Sequence, residues 1–154
     1  MIGLGALKYF ILKVDPKKKM LFNPKESIDF NGNTGPFIQY THARICSILR
    51  KAAEAGYTPA ATGAALLPKE ESIVQLLSGY PDKIREAGLA HSPALVANFA
   101  YDLAKEFNQY YHDTQILREE DAATRDQRLC LISVIARTLR HAMNILGITL
   151  PERM

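Results

Sequence analysis

What the chain has little of bounds what it can be. Only two cysteines occur, Cys46 and Cys130. They lie far apart in apolar surroundings, with no zinc-type spacing, and read as free thiols of a reducing cytosol. No apolar run reaches about 18 residues, which excludes a membrane-spanning helix. Met1 to Val14 is apolar but has no cationic leader and no small-residue cleavage site, so it does not read as a signal peptide. Internal repeats and Ser- or Gln-rich tracts are missing. Alternating strand patterns are nearly absent too. Hydrophobic residues make up 47% and charged residues 23%, the balance of an ordinary globular chain rather than a disordered or fibrous one. Its 154 residues suit one domain, or one domain carrying a short piece of another. A chain of this size buries roughly 70% of its unfolded surface without disulfide staples.

Catalytic signatures are equally scarce. No G-x-x-x-x-G-K-S/T loop occurs, and Gly3-Leu4-Gly5 is a bare G-x-G without its remaining glycine. His42, His91, His112 and His141 are dispersed and read as core or solvent residues rather than metal ligands. Glu119-Glu120-Asp121 suits a helix N-terminus better than acid–base work. The residues alone therefore point to a binder.

Punctuation organises the rest. Ile2 to Val14 carries apolar residues near helical period, and Asp15-Pro16 ends it. Met20-Leu21-Phe22 reads as a short extended stretch. Asp29 to Thr34 is a polar, glycine-containing turn or Ω-type loop. Pro36 then opens a long helix that Thr34 or Gly35 caps and Gly56 stops. Tyr57 to Pro68 reads as a loose connection, followed by helices at about 69–77 and 80–87. Ser92 caps the next long helix, with Pro93 in its first turn, and it runs to about His112. The last starts near Glu119 and ends at Gly147. The fold class is all-α, a small helical bundle, with the last helix expected at its centre because most of its circumference is apolar.

Charge is uneven. Residues 1–57 hold nine Lys and Arg against four Asp and Glu, whereas residues 58–154 hold ten against twelve. A basic half hints at a polyanionic partner, although a solvated cluster such as Lys17-Lys18-Lys19 has the same appearance. On the helix after Pro36, Ile38, Thr41, Ile45, Ile48, Leu49 and Ala52 form the core stripe, and Phe37, Tyr40, Arg44 and Lys51 fall on its flank. Two readings stand. The rings extend the core beside solvated cations, or they form a platform where nucleobases stack while Arg44 and Lys51 meet phosphates. On the helix after Pro93, Tyr110 and Tyr111 are expected to pack by their rings with hydroxyls reaching outward. Arg137, Arg140, His141 and Asn144 form a narrow strip on the last helix, either solvent-facing or lining an RNA groove.

Three segments carry a resemblance. Gly32-Asn33-Thr34-Gly35-Pro36-Phe37-Ile38-Gln39-Tyr40-Thr41-His42-Ala43-Arg44 follows the run from Ile2 to Pro24. Leu103-Ala104-Lys105-Glu106-Phe107-Asn108-Gln109-Tyr110-Tyr111 comes next. Arg128-Leu129-Cys130-Leu131 through Ile145-Leu146-Gly147-Ile148, closing on Pro151-Glu152-Arg153-Met154, comes last. In that order they resemble the C-terminal region of the class I arginyl-tRNA synthetase family. The resemblance implies a helical anticodon-binding domain over residues 23–154 and a junction to a catalytic domain over residues 1–22. It implies a fragment without the HIGH-like and KMSKS-like parts, inactive alone, with no catalytic or metal-binding residue of its own. In the full-length enzyme, ATP and Mg would serve arginine activation. Arginine tRNA and its own catalytic domain would be the partners, with no membrane, in a cytoplasmic enzyme that is monomeric at full length. It places Asn31, Asn33, Thr34, Phe37, Tyr40, Arg44, Lys51, Tyr111, His112, Arg153 and Met154 against the tRNA. An orphaned apolar face on the first helix (Leu4, Leu7, Phe10, Ile11) is expected to be exposed or to self-associate. A helical protein-interaction domain with an incidental basic edge is the alternative. A neighbouring synthetase sharing the fold, such as the cysteinyl one, is a further one.

Overall fold

The computed structural model describes all of residues 1–154, as seven helices without a strand. They are α1 (Ile2–Leu12), α2 (Pro24–Ser27), α3 (Gly35–Glu54), α4 (Pro68–Ser78), α5 (Tyr80–Ala90), α6 (Pro93–Asp113) and α7 (Ala122–Ile145). The all-α expectation holds. The single turn α2 escapes a periodicity argument because it is too short to show a face. Residues 20–22 form no strand.

Most boundaries lie where the sequence punctuates them. The Thr34 hydroxyl accepts from Phe37 N–H at 3.3 Å, and Gly56 leaves α3 with φ of +79°. Asp121 caps α7 by accepting from Thr124 N–H at 2.8 Å. Hydrogen bonding from the Thr124 side chain, and then from its N–H, holds the Asp121 carboxyl below the usual range. Ser92 differs from expectation, since it occupies the cap of α6 without a side-chain hydrogen bond.

The centre of the bundle is α6 rather than α7. It packs against α1, α3, α4, α5 and α7, whereas α7 lies against α3, α4 and α6. Leu103, Phe107, Leu129, Ile132, Ile135, Leu139, Ile38 and Ile45 form the dry centre. Tyr110 is buried there and its hydroxyl does not reach solvent. It donates to Glu70 Oε1 at 2.8 Å, which also accepts from Arg128 Nε at 2.9 Å. Arg128 Nη1 continues to Glu119 at 2.7 Å. Burial and the Glu70 carboxylate push the Tyr110 phenol upward. Tyr111, one residue on, points outward.

The 57–67 connection is pinned rather than loose. Gln127 Oε1 accepts from the backbone N–H groups of Thr62, Gly63 and Ala64, and its Nε2 donates back to Ala64 O. Arg125 lies 3.8 Å from the Tyr57 ring centre. At the other end of the molecule α1 crosses α3 with almost no gap. A Cβ on Gly35 would lie 2.7 Å from Gly5 O. The inner face of α1 carries Gly5, Ala6, Tyr9 and Phe10. Leu4, Leu7 and Ile11 are exposed, as expected of that face, while Phe10 is covered.

Candidate nucleic-acid interface

The expected site residues separate into two groups. Tyr40, Arg44 and Lys51 from α3, Tyr111 from the end of α6, and Arg153 and Met154 from the C-terminus line one groove of about 520 Å³. A neighbouring hollow of about 570 Å³ shares Lys51 and Tyr111 and adds His112 and Arg118. Three chain segments thus converge on one surface at the end of the bundle.

A stack of planar groups runs outward along this surface. Fully buried Phe107 lies parallel to Tyr111, with ring centres 5.7 Å apart and planes 16° apart. The Arg44 guanidinium follows, 5.8 Å from the Tyr111 ring centre and 4.8 Å from that of Tyr40. Phe30 then meets Tyr40 edge-on at 6.4 Å. Arg44 donates to Asn108 Oδ1 at 2.7 Å and to the Tyr40 hydroxyl at 3.1 Å. Asn108 is itself fixed, donating to Thr41 Oγ1 at 2.7 Å and Ala104 O at 2.9 Å. The guanidinium is therefore engaged within the protein, spacing two rings that remain 42% and 38% exposed. A flat delocalised cation stacks this way and an ammonium does not. Lys51, Arg118 and Arg153 have no protein partner for their charges.

Asn31, Asn33, Thr34 and Phe37 do not line the groove. Asn31 is exposed on the loop, where its N–H closes a turn onto Asp29 Oδ1 at 2.8 Å. Asn33 fastens the loop to two helices. Its Oδ1 lies 2.6 Å from the Tyr9 hydroxyl and its Nδ2 donates to Asn98 at 3.1 Å. Thr34 is buried, donating to Asp29 O and capping α3. Phe37 is half-buried against the core, its ring centre 5.4 Å from that of Tyr101. Sequence reasoning missed Phe30, whose signal was a lone ring in a polar loop with no core position to fill.

The polar strip on α7 stays out of the groove. His141 pairs with the Tyr80 hydroxyl at 2.7 Å, and burial pushes that phenol up to about 12. Arg140 donates to Glu152 at 2.7 Å. The reading of four isolated histidines also overlooks a pair. Cys46 follows His42 by one turn, and its Sγ lies 3.8 Å from both ring nitrogens. Burial lowers the His42 pKa and raises that of Cys46. No three His, Cys, Asp or Glu side chains cluster as metal ligands. No helix is long and apolar enough to cross a membrane.

Comparison with known proteins bears on this surface. The family model described as DALR anticodon binding domain matches residues 38–154. An arginine-tRNA ligase of Porphyromonas gingivalis is 56% identical over 156 residues, covering 99% of this chain and 26% of that protein. One from Phocaeicola vulgatus is 57% identical over 158 residues, covering 99% and 26%. The chain thus spans about a quarter of the length of the curated relatives it matches. The structure of Thermus thermophilus arginyl-tRNA synthetase superimposes with a TM-score of 0.92 at 35% identity, over 100% of this chain and 27% of that one.

Proposed function

Because the chain belongs to the DALR anticodon binding domain family, we propose that it is the anticodon-stem-loop binding module of an arginine-tRNA ligase, which joins arginine to its tRNA at the expense of ATP. Relatives named arginine-tRNA ligases favour this over a helical protein-interaction domain. The observation that carries the reading is the convergence of Tyr40, Tyr111, Lys51, Arg153 and Met154 on one groove. An unpaired base of a looped RNA stacks on Tyr40, at about 1–3 kcal/mol per base, and packs against the exposed edge of Tyr111, whose faces meet Phe107 and Arg44. Lys51, Arg118 and Arg153 meet phosphates, which fix register without reading sequence. Bases splayed from a loop present edges and faces that a paired helix hides. The loop around Asn31 and Phe30 continues the surface beyond Tyr40.

No Asp or Glu side chain lines the groove. ATP and magnesium belong, in this reading, to the remainder of a longer, cytoplasmic enzyme. Residues 1–22 form the junction to it, with Leu4, Leu7 and Ile11 as its apolar contact.

The test is titration of the chain with arginine tRNA, and with an anticodon-substituted version, across a salt series. Three phosphate contacts to a single-stranded loop give a log–log slope near −2. A salt-independent affinity, or equal affinity for the substituted tRNA, rejects the reading.

A further inference from the structure

The last eight residues leave α7 at Gly147, which turns with φ of +68°, and run as a strap across α3. Ile148 and Leu150 are buried beneath it. Its backbone is fastened by one face of α3, with side chains spaced three and four residues apart in sequence or a multiple of that. Gln39 Nε2 donates to Thr149 O at 3.1 Å, and His42 Nδ1 lies 2.9 Å from Pro151 O. Arg50 Nη1 donates to Glu152 O at 3.0 Å. From α7, Arg140 Nη2 holds the Glu152 carboxylate at 2.7 Å. Beyond Glu152 nothing binds. Arg153 and Met154 enter the groove from the last anchor, and Met154 is half-exposed.

We propose that Arg50, which itself borders the groove, and Arg140 are positioning residues for RNA binding, gripping Glu152 from two helices so that Arg153 and Met154 close one wall of the groove. The proposal rests on the groove being the RNA interface. Two residues past the last hydrogen-bonded anchor would otherwise sample many conformations, and ordering them on binding costs affinity. The α3 anchors bond to main-chain carbonyls, so they hold the strap whatever side chains it bears. Beside the buried Ile148 and Leu150, Glu152 supplies the one side-chain hydrogen bond, and the Arg50 and Arg140 bonds converge on that residue immediately before Arg153 and Met154. Arg140 therefore acts on RNA through Glu152 and not by meeting phosphate itself.

The test measures arginine tRNA affinity and the rate at which carboxypeptidase releases Met154. It compares Arg50→Ala, Arg140→Ala, a chain lacking residues 153–154, and each arginine substitution in that shortened chain. The expected result is about tenfold weaker binding and faster Met154 release for each arginine variant, with no further loss of affinity in the shortened chain. The exchanged pair Arg140→Glu with Glu152→Arg should recover both readouts. Unchanged affinity in the arginine variants overturns the proposal. So does an equal loss with and without residues 153–154, which would make the arginines direct RNA contacts. If Tyr40→Ala and the shortened chain both bind tRNA normally, the groove reading falls and the strap proposal falls with it. If Tyr40→Ala weakens binding while the arginine variants do not, only the strap proposal falls.

Discussion

Arg44 sits in the groove, yet its geometry assigns it to Tyr40 and Tyr111 rather than to a phosphate. Replacing it separates the two roles. Arg44→Ala removes two hydrogen bonds and the plane that spaces the rings. Each ring then regains freedom that RNA binding must remove again, at about 0.5–1.5 kcal/mol per immobilised side chain. For two rings the loss is about 1–3 kcal/mol, or roughly 5- to 150-fold in affinity. Lysine keeps the charge but cannot lie flat between rings while bridging Asn108 and Tyr40, so Arg44→Lys should lose as much as Arg44→Ala. The assay is tRNA titration across a salt series for wild type and both variants. A spacer leaves the salt slope unchanged, since no phosphate contact is lost. A phosphate ligand would lower the slope by about 0.7 on alanine substitution and be rescued by lysine. Rescue by Arg44→Lys together with a reduced slope for Arg44→Ala would refute the spacer argument.

Three further outcomes follow from the packing. Gly35→Ala places a methyl against Gly5 O and should destabilise the chain by about 1–3 kcal/mol in urea unfolding. Gly88→Ala meets open space within α5 and should stabilise by up to about 1 kcal/mol, so a stabilised Gly35→Ala would contradict the close crossing. Burial holds the His42 pKa below its ordinary value, so the unfolded chain takes up a proton more readily than the folded one. Its contribution is fully present above about pH 6.5 and is lost as pH falls through the lowered folded value. Between pH 7.5 and 5.5, wild type should lose more stability than His42→Gln, and parallel losses in the two proteins would count against a buried neutral imidazole.

Helix order and most boundaries were legible because proline and glycine mark them: Pro36 and Gly56 for α3, Pro93 for α6, Gly147 after α7. Faces were harder where a helix ends. Tyr110 and Tyr111 are about 100° apart around α6, and one meets Glu70 while the other meets Arg44. Periodicity cannot separate them when the partner elements are unknown. The flank of Tyr40, Arg44 and Lys51 was legible as a surface, but what engages Arg44 was not. Asn108 reaches it from α6 and Tyr111 from the same helix's last turn. The C-terminal strap was invisible for the same reason. Its anchors join residues about a hundred positions apart, and no local pattern announces which carbonyls Gln39 and His42 will find. Gln127 likewise turned a stretch of Ala, Gly and Thr into a fastened segment through contacts no composition could reveal.

The interior node of Glu70, Tyr110 and Arg128 has an evolutionary consequence. Removing Arg128 leaves the Glu70 carboxylate in the interior without its countercharge, at about 3–5 kcal/mol, whereas removing Glu70 leaves Arg128 its Glu119 partner. Losses of that size approach the whole margin by which a domain stays folded. A lineage that trades the pair for apolar side chains meets the lower barrier by losing Glu70 first, because Arg128 keeps Glu119, while losing Arg128 first isolates the carboxylate.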